Sequence, residues 1–191
     1  MRVLFRRRNK KFYLPDVIDG CKRRRQLDQK ELYENYANFA KNICLRYAVN
    51  EIEAEEMLSD GFLKIFNNID KYDTNQSFDA WFRTIMVNSA IDYFRKHHSK
   101  VDFTDLDSAK EIHTNDIEFD LISAEEIMAF IQRLTPVYRT VFSLSAVEGY
   151  SYKEISEMLG VTESAVRANI FKARTKLQVW ISEYMARQTI I

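Results

Sequence analysis

The chain is 191 residues long, with 28 basic and 28 acidic residues and a formal net charge of zero. That length allows one large domain or two small ones, and neutrality excludes a uniformly basic nucleic-acid binder while leaving local patches open. Only four glycines and two prolines occur; they do not cluster, so neither a dinucleotide fingerprint nor a phosphate-binding P-loop is possible, and helix is the expected structure throughout. Cys21 and Cys44 are the only cysteines, a count that fits reduced thiols in the cytoplasm rather than a disulfide framework. His97, His98 and His113 have no metal-ligand spacing with them. No stretch approaches the ~18 uncharged apolar residues of a membrane span, and no apolar run follows the basic N-terminus as a secretory signal requires. A cytoplasmic protein without membrane insertion, metal or other cofactor is expected.

Charge is distributed in blocks. Residues 1–30 hold 11 basic and 3 acidic residues, net +8. We read residues 1–26 as a basic arm carrying Arg6-Arg7-Arg8 and Arg23-Arg24-Arg25. Two readings of it stand side by side: a disordered tail that binds phosphate, or an extension from an early start codon.

Residues 27–97 read as a first helical domain. Leu32, Tyr36, Phe39, Ile43 and Tyr47 recur at helical spacing. Ile52 to Phe66 gives a second helix with Met57, Leu58, Phe62, Ile65 and Phe66 inward. A polar break follows to Ser77. Phe78 to about Lys96 is one long helix whose apolar stripe holds Phe78, Trp81, Phe82, Ile85, Met86, Ala90 and Phe94.

Residues 98–123 lose this periodicity. The block 97–124 has 2 basic and 7 acidic residues, net −5, and reads as an acidic linker. Asp102, Asp105 and Asp107 lack the glycine and closing Glu of a calcium loop, so no metal is expected there.

Residues 124–185 form the second domain. Thr135-Pro136 starts a helix, cap then N1 proline, with Val137, Val141, Phe142 and Leu144, ending at Gly149. Ser151 and Glu154 then form an S-x-x-E capping box, and the helix they open runs to Leu159. Gly160 supplies a sharp turn, because glycine enters a positive φ at little cost. Thr162 caps a further helix in which Val166, Ile170, Ala173 and Leu177 make one apolar stripe. Its other side shows Glu163, Ser164, Arg167, Ala168, Phe171 and Lys172. Two short helices and a tight turn, with small and basic residues outward, are the build of a helix-turn-helix whose second helix enters the major groove. A merely solvated amphipathic hairpin has the same local signature, so the domain in front of it must decide.

Together these blocks give an all-α fold of two small helical domains joined by an acidic linker. Three segments of the first domain carry a resemblance: LYENYANFAKNICLRYA, EAEEMLSDGFLKIFNNIDKYD and SFDAWFRTIMVNSAIDYFRK. In the second it is LTPVYRTVFSLSAVEGYSYKEISEMLGVTESAVRANIFKARTKL. In this order they resemble regions 2 and 4 of bacterial RNA polymerase sigma factors, specifically the short extracytoplasmic-function (ECF) group. The match covers about residues 31–96 and 127–179, and the short linker leaves no room for the region 3 domain of larger sigma factors.

The resemblance implies a transcription-initiation factor that binds core RNA polymerase and promoter DNA and is not an enzyme. It implies that Glu56, Asp60, Leu63 and Lys64 face the polymerase. It implies that Tyr72, Asn75, Gln76, Ser77, Arg83, Asn88, Asp92, Tyr93 and Arg95 read the melted minus-ten element, through polar groups suited to unstacked bases and phosphates. Phe78 and Trp81 stand at the same place, and by its spacing in the apolar stripe Trp81 is better read as core. For the minus-thirty-five duplex it implies Ser164, Arg167, Ala168 and Phe171 at the bases, with Arg139, Lys172 and Arg174 at phosphate. An anti-sigma protein is the implied inhibitory partner. Ser59 and Gly61 depart from bulkier family residues at the polymerase-facing helix, and Asn169 departs where a residue usually points at DNA. The competing reading is a stand-alone helix-turn-helix regulator with an N-terminal sensor or dimerisation domain.

Overall fold

The computed structural model describes residues 12–98 and 122–188. Among these, the first domain consists of α1 (Leu14–Lys22), α2 (Gln26–Cys44), α3 (Glu51–Asn68), a 3₁₀ turn (Ile69–Lys71) and α4 (Phe78–His97). The second consists of α5 (Ala124–Arg133), α6 (Pro136–Phe142), a π-helical turn (Ser143–Val147), α7 (Tyr152–Leu159) and α8 (Glu163–Gln188). The linker segment with Asp102, Asp105 and Asp107, and the triplet Arg6 to Arg8, lie outside the described residues.

Sequence chemistry sets the helix ends. Asn50 opens α3 by accepting from the Glu53 amide at 2.9 Å, and Ser77 opens α4 by accepting from the Ala80 amide at 3.4 Å. Basic residues Arg95, Lys96 and His97 fill the last turn of α4, where the carbonyl ends favour positive charge. Inside the first domain Leu32, Ile43, Tyr47, Met57, Ile65, Phe82 and Met86 are fully buried. Burial of each such apolar side chain stabilises by roughly 1.5–3 kcal/mol. Aromatic rings knit α2, α3 and α4 together: Tyr36 lies 4.9 Å from Phe82, and Phe62 lies 5.5 Å from Phe82 in an edge-on pair.

Two expectations change here. The basic arm of residues 1–26 is not an arm over its second half. There α1 buries Val17, Ile18 and Cys21 against the domain core. Its arginine triplet is spent within the chain: Arg23 pairs with Asp19 at 2.9 Å, Arg24 with Asp70 at 3.3 Å and Arg25 with Asp28 at 2.7 Å. Arg24 also takes a left-handed φ of 57° and donates to the Phe66 carbonyl. Counting charges hid an apolar i, i+1, i+4 set inside a basic stretch. Gly61, likewise, is not on the docking surface. It is buried under Met86, whose Sδ would lie 2.4 Å from an added Cβ, so the missing side chain lets α3 and α4 approach.

In the second domain Val166, Ile170, Ala173 and Leu177 are all buried, which makes the α8 stripe its scaffold. The far end of α8 folds against α5. Trp180 lies under the Arg133 guanidinium at 4.3 Å, and the Tyr184 hydroxyl donates to Glu126. Ser123 and Glu126 form a complete capping box at the start of α5. Its S-x-x-E spacing stood in the sequence at the edge of the acidic segment.

The two domains touch: their buried apolar residues belong to one continuous cluster, and polar bonds also cross between them. The segment joining α2 to α3 offers three carbonyls to the second domain. Gln132 donates to Leu45, Ser143 Oγ to Arg46 at 3.3 Å, and Arg139 Nη1 to Ala48. Carbonyls at a helix C-terminus lack intrahelical partners, so side chains of one domain complete the backbone of the other.

Candidate nucleic-acid and polymerase interfaces

Three exposed surfaces carry the residues marked by the sequence. The first is one face of α3. Ile52, Glu55, Glu56, Ser59, Asp60 and Leu63 are all exposed there, at spacings that put them on adjoining turns. Ile52 and Leu63 are 70% and 59% exposed, an unusual placement for aliphatic side chains in the middle of an acidic helix face. Apolar anchors ringed by carboxylates suit a protein partner presenting basic and aliphatic residues. Helical spacing already sets Ile52 apart from the buried stripe, about 140° from Met57 at ~100° per residue, so it falls on the outward face with Glu56 and Leu63. Lys64 sits at the edge of this face and its Nζ is 2.6 Å from Asp92 on α4. One candidate from the polymerase set is thus paired with one from the minus-ten set.

The second surface is the loop before α4 with the exposed side of that helix. The loop is built from within. Tyr72 is buried against Phe78 and Trp81, at 5.2 and 5.3 Å between ring centroids, and its hydroxyl donates to the Gln76 carbonyl at 2.6 Å. Desolvation pushes that phenol upward in pKa. Tyr72 is therefore the loop's support and not a base-contacting group. Asn75 is held by Asp73, whose Oδ1 accepts from both its amide and its side chain at 2.9 Å. Asn75, Gln76 and Ser77 are exposed. Trp81 is half-buried on Tyr72 and Phe78, as its place in the apolar stripe suggests.

Along α4, Asn88, Asp92 and Arg95 are exposed and recur at four and three residues, so they share a face. Tyr93, half-buried, stacks on His97 at 4.3 Å. Its phenol is pushed up to about 12, first by desolvation and then by its hydrogen bond to Glu56. Arg83 precedes Asn88 by five residues, about 140° around the helix at ~100° per residue. It points toward the second domain, 3.6 Å from Glu148 and 6.0 Å from the centre of the Phe39 ring.

The third surface is the N-terminal half of α8. Ser151 accepts from the Glu154 amide at 3.3 Å while Glu154 accepts from the Ser151 amide at 2.8 Å, so the capping box is complete. Gly160 has φ 68°, and Thr162 accepts from the Ala165 amide at 3.2 Å. This turn aims α8 outward. Ser164, Arg167, Ala168 and Arg174 are exposed, and Phe171 and Lys172 half-buried. Arg167 is tethered loosely, 3.6 Å from Glu163 and 5.5 Å from the centre of the Tyr152 ring. Such exposed pairs hold weakly and yield to a better acceptor.

Two residues expected at DNA lie elsewhere. Arg139 is only 3% exposed, and besides Ala48 it donates through Nη2 to Gln132 at 2.6 Å and Leu134 at 2.9 Å. Desolvation lowers its pKa. A guanidinium with three backbone carbonyls as partners has no face left for phosphate, so its placement on the DNA surface is corrected. Asn169 is also buried, and its side chain donates to the Ala165 carbonyl at 2.8 Å. The resemblance has a DNA-facing residue at this position, and here the i−4 bond holds Asn169 in the helix's buried side instead.

Among the described residues no group of three or more His, Cys, Asp and Glu gathers to hold a metal, and no helix is long and apolar enough to cross a membrane.

A capped, glycine-turned pair of helices with basic residues outward, joined to an aromatic-cored helical domain with an exposed acidic face, is the build of a helix-turn-helix protein. Residues 32–100 match the Sigma-70 region 2 family and residues 124–177 match Sigma-70, region 4. Together they account for well over half of the chain, which belongs to the RNA polymerase sigma factors, in the ECF group. The region 2 match also sets aside a stand-alone regulator with an N-terminal sensor domain.

Among curated relatives, the ECF sigma factor SigW of Bacillus subtilis is 28% identical over 163 residues, covering 78% of this chain and 86% of its own. SigM of the same organism is 25% identical, covering 78% and 91%. SigE of Mycolicibacterium smegmatis is 24% identical over 81% of this chain, which spans 62% of that protein's length. Among solved structures, CnrH in complex with the cytosolic domain of CnrY aligns at TM-score 0.46 and 19% identity, over 88% of this chain and 96% of its own. RpoE of Bartonella quintana, in complex with the anti-sigma factor NepR, aligns at TM-score 0.47 and 17% identity, over 81% and 97%.

Proposed function

We propose a division of the sigma-factor task among three surfaces of this chain. The exposed α3 face, centred on Ile52, Glu56, Asp60 and Leu63, docks on core polymerase. The loop Asn75–Ser77 with Asn88 and Arg95 takes the melted minus-ten strand. Ser164, Arg167 and Ala168 on α8 read the minus-thirty-five duplex, with Lys172 and Arg174 on its phosphates. The chain works by binding in the cytoplasm and leaves catalysis to the polymerase. An anti-sigma protein that covers these faces is the natural inhibitory partner.

The observation that carries this reading is the exposure of Ile52 and Leu63 among Glu55, Glu56 and Asp60. A DNA-reading helix elsewhere in the chain gives no reason for an apolar and acidic face here, whereas a protein partner does. Association of the purified chain with purified core polymerase tests it. The unaltered chain should comigrate with core in gel filtration. Leu63→Asp and Asp60→Arg should lose the complex while keeping the helical far-ultraviolet spectrum. Undiminished association of both variants would move the docking surface elsewhere.

A further inference from the structure

The turn between α1 and α2 is closed by a Schellman motif. The Arg24 amide donates to the Cys21 carbonyl at 2.9 Å and the Arg25 amide to the Gly20 carbonyl at 3.0 Å. Arg24 therefore stands in the left-handed place past the helix end, with φ 57°, where glycine is the usual residue. Glycine takes that backbone without steric cost, so the turn itself gives no reason for arginine. The side chain does. Its Nη1 donates to the Phe66 carbonyl, and its Nη2 donates to Asp70 Oδ2 at 3.3 Å. Phe66 lies in the last turn of α3, where carbonyls favour a cation, and α3 has no basic residue of its own there. Lys22, in the last turn of α1, donates from Nζ to the Tyr72 carbonyl at 3.4 Å and lies 6.0 Å from the centre of the Tyr72 ring. Two cations from one turn thus hold both ends of the segment 66–72, which leads into the loop before α4. Tyr72 carries the hold onward, because its hydroxyl donates to the Gln76 carbonyl at 2.6 Å.

We propose that Arg24 and Lys22 are positioning residues for minus-ten recognition: from the end of α1 they hold Asn75, Gln76 and Ser77 in the pose that takes the melted strand. This rests on the assignment of that loop made above. Neither cation lies in the stretch that matches the region 2 family, which begins at residue 32. The side chains of Arg24 and Asp70 are 51% and 55% exposed, and an exposed ion pair adds little to stability. A disfavoured backbone joined to a weakly stabilising pair fits a residue that fixes geometry. A loop held in advance loses less conformational freedom when a strand binds, so more of its interaction energy appears as affinity.

Arg24→Gly removes the clamp and keeps the turn, while Lys22→Met removes the charge and keeps the stem. Both are read in the holoenzyme formed with core polymerase. Two single-stranded oligonucleotides are the probes: the minus-ten segment of a promoter on which this holoenzyme initiates, and the same bases in scrambled order. Each variant should bind the promoter strand roughly two- to tenfold more weakly, the effect of freeing a side chain or two at an interface, and the scrambled strand as before. In the free chain, amide hydrogen exchange over residues 72–77 should speed up while the melting temperature stays close to that of the unaltered chain. Arg24→Lys, which keeps a cation at the turn, should recover part of the strand preference. Equal weakening of both strands would make the two cations phosphate ligands and overturn the positioning role. Unchanged exchange and unchanged preference in Arg24→Gly and Lys22→Met, with preference lowered by Asn75→Ala, would overturn it as well. Should Asn75→Ala and Gln76→Ala keep the full preference while Arg24→Gly still speeds exchange, the hold on the loop stands and its minus-ten assignment falls.

Discussion

Arg46, just beyond the C-terminus of α2, donates to Glu148 at 2.8 Å across 102 residues of sequence, and both side chains are nearly withdrawn from water. That bond joins the region 2 domain to the region 4 domain. Around it the structure places a second interdomain arginine, Arg139, inside the protein. Each gives a consequence that measurement can separate from DNA contact.

Arg139→Ala should act on stability and not on promoter choice. It leaves the Ala48, Gln132 and Leu134 carbonyls without their donor, and buried acceptors without partners cost about 1–3 kcal/mol. Urea unfolding should report a loss of at least about 2 kcal/mol, with discrimination between promoter sequences retained. Loss of minus-thirty-five discrimination at unchanged stability would return Arg139 to the DNA surface.

Arg167→Ala should do the reverse. The side chain is exposed and only loosely paired, so thermal stability should stay within about 0.5 kcal/mol of the parent. Recognition of the upstream element should weaken by ~1–3 kcal/mol, as expected for a guanidinium lost from a base edge. Core binding should be intact.

Gly160→Ala isolates the backbone cost of the helix-turn-helix corner. Gly160 has φ 68° and nothing within 4 Å of an added Cβ, so no clash contributes. A destabilisation of roughly 1–2 kcal/mol follows from the left-handed conformation alone. Gly160→Asn should recover part of it.

The two thiols should be inert in the folded chain. Burial pushes Cys44 up to about 12 and Cys21 up to about 11, so neither forms thiolate near neutral pH. Ellman's reagent should leave both unmodified under native conditions and titrate both in denaturant. Rapid native labelling of Cys21 would mean that α1 detaches from the core.

The cap at the start of α7 gives a pH dependence of known sign. Hydrogen bonds from the Ser151 side chain and amide hold the Glu154 carboxyl below its ordinary value of 4.5. A depressed carboxylate contributes stability above its unfolded pKa and loses it as pH falls through the folded one. Acid unfolding of the parent should therefore include a contribution from Glu154 below about pH 4.5. Glu154→Gln should lack it, and its stability should fall less steeply between pH 5 and 3.

Much of this architecture could be read from the chain because the relevant signals are local. Ser151, Glu154, Gly160 and Thr162 each act within four residues of themselves, and all four occupy the roles their spacing implies. Helical periodicity likewise marked Val166, Ile170, Ala173 and Leu177 as scaffold. What escaped was everything decided by the other domain. Arg139 looks like a phosphate ligand in sequence, since a basic residue near a DNA-reading motif has no local sign of being buried, and Arg83 has no local sign of facing the second domain. Glu148 is one acid beside a glycine, and nothing within its own helix pair announces Arg46. The aromatic Tyr72 illustrates the same limit at shorter range: it stands in a polar loop, but Phe78 and Trp81 bury it. Residues 14–22 were hidden differently, because a block charge of +8 obscured Val17, Ile18 and Cys21.

The central claim is that this chain directs core polymerase to promoters. Run-off transcription with purified core enzyme, on promoter fragments from the same genome, tests it most directly. We predict specific initiation that requires the chain, is lost with Leu63→Asp, and is weakened by Arg167→Ala in proportion to the upstream element. Duplex-specific binding by the chain alone, with no core-dependent initiation on any of those fragments, would contradict it.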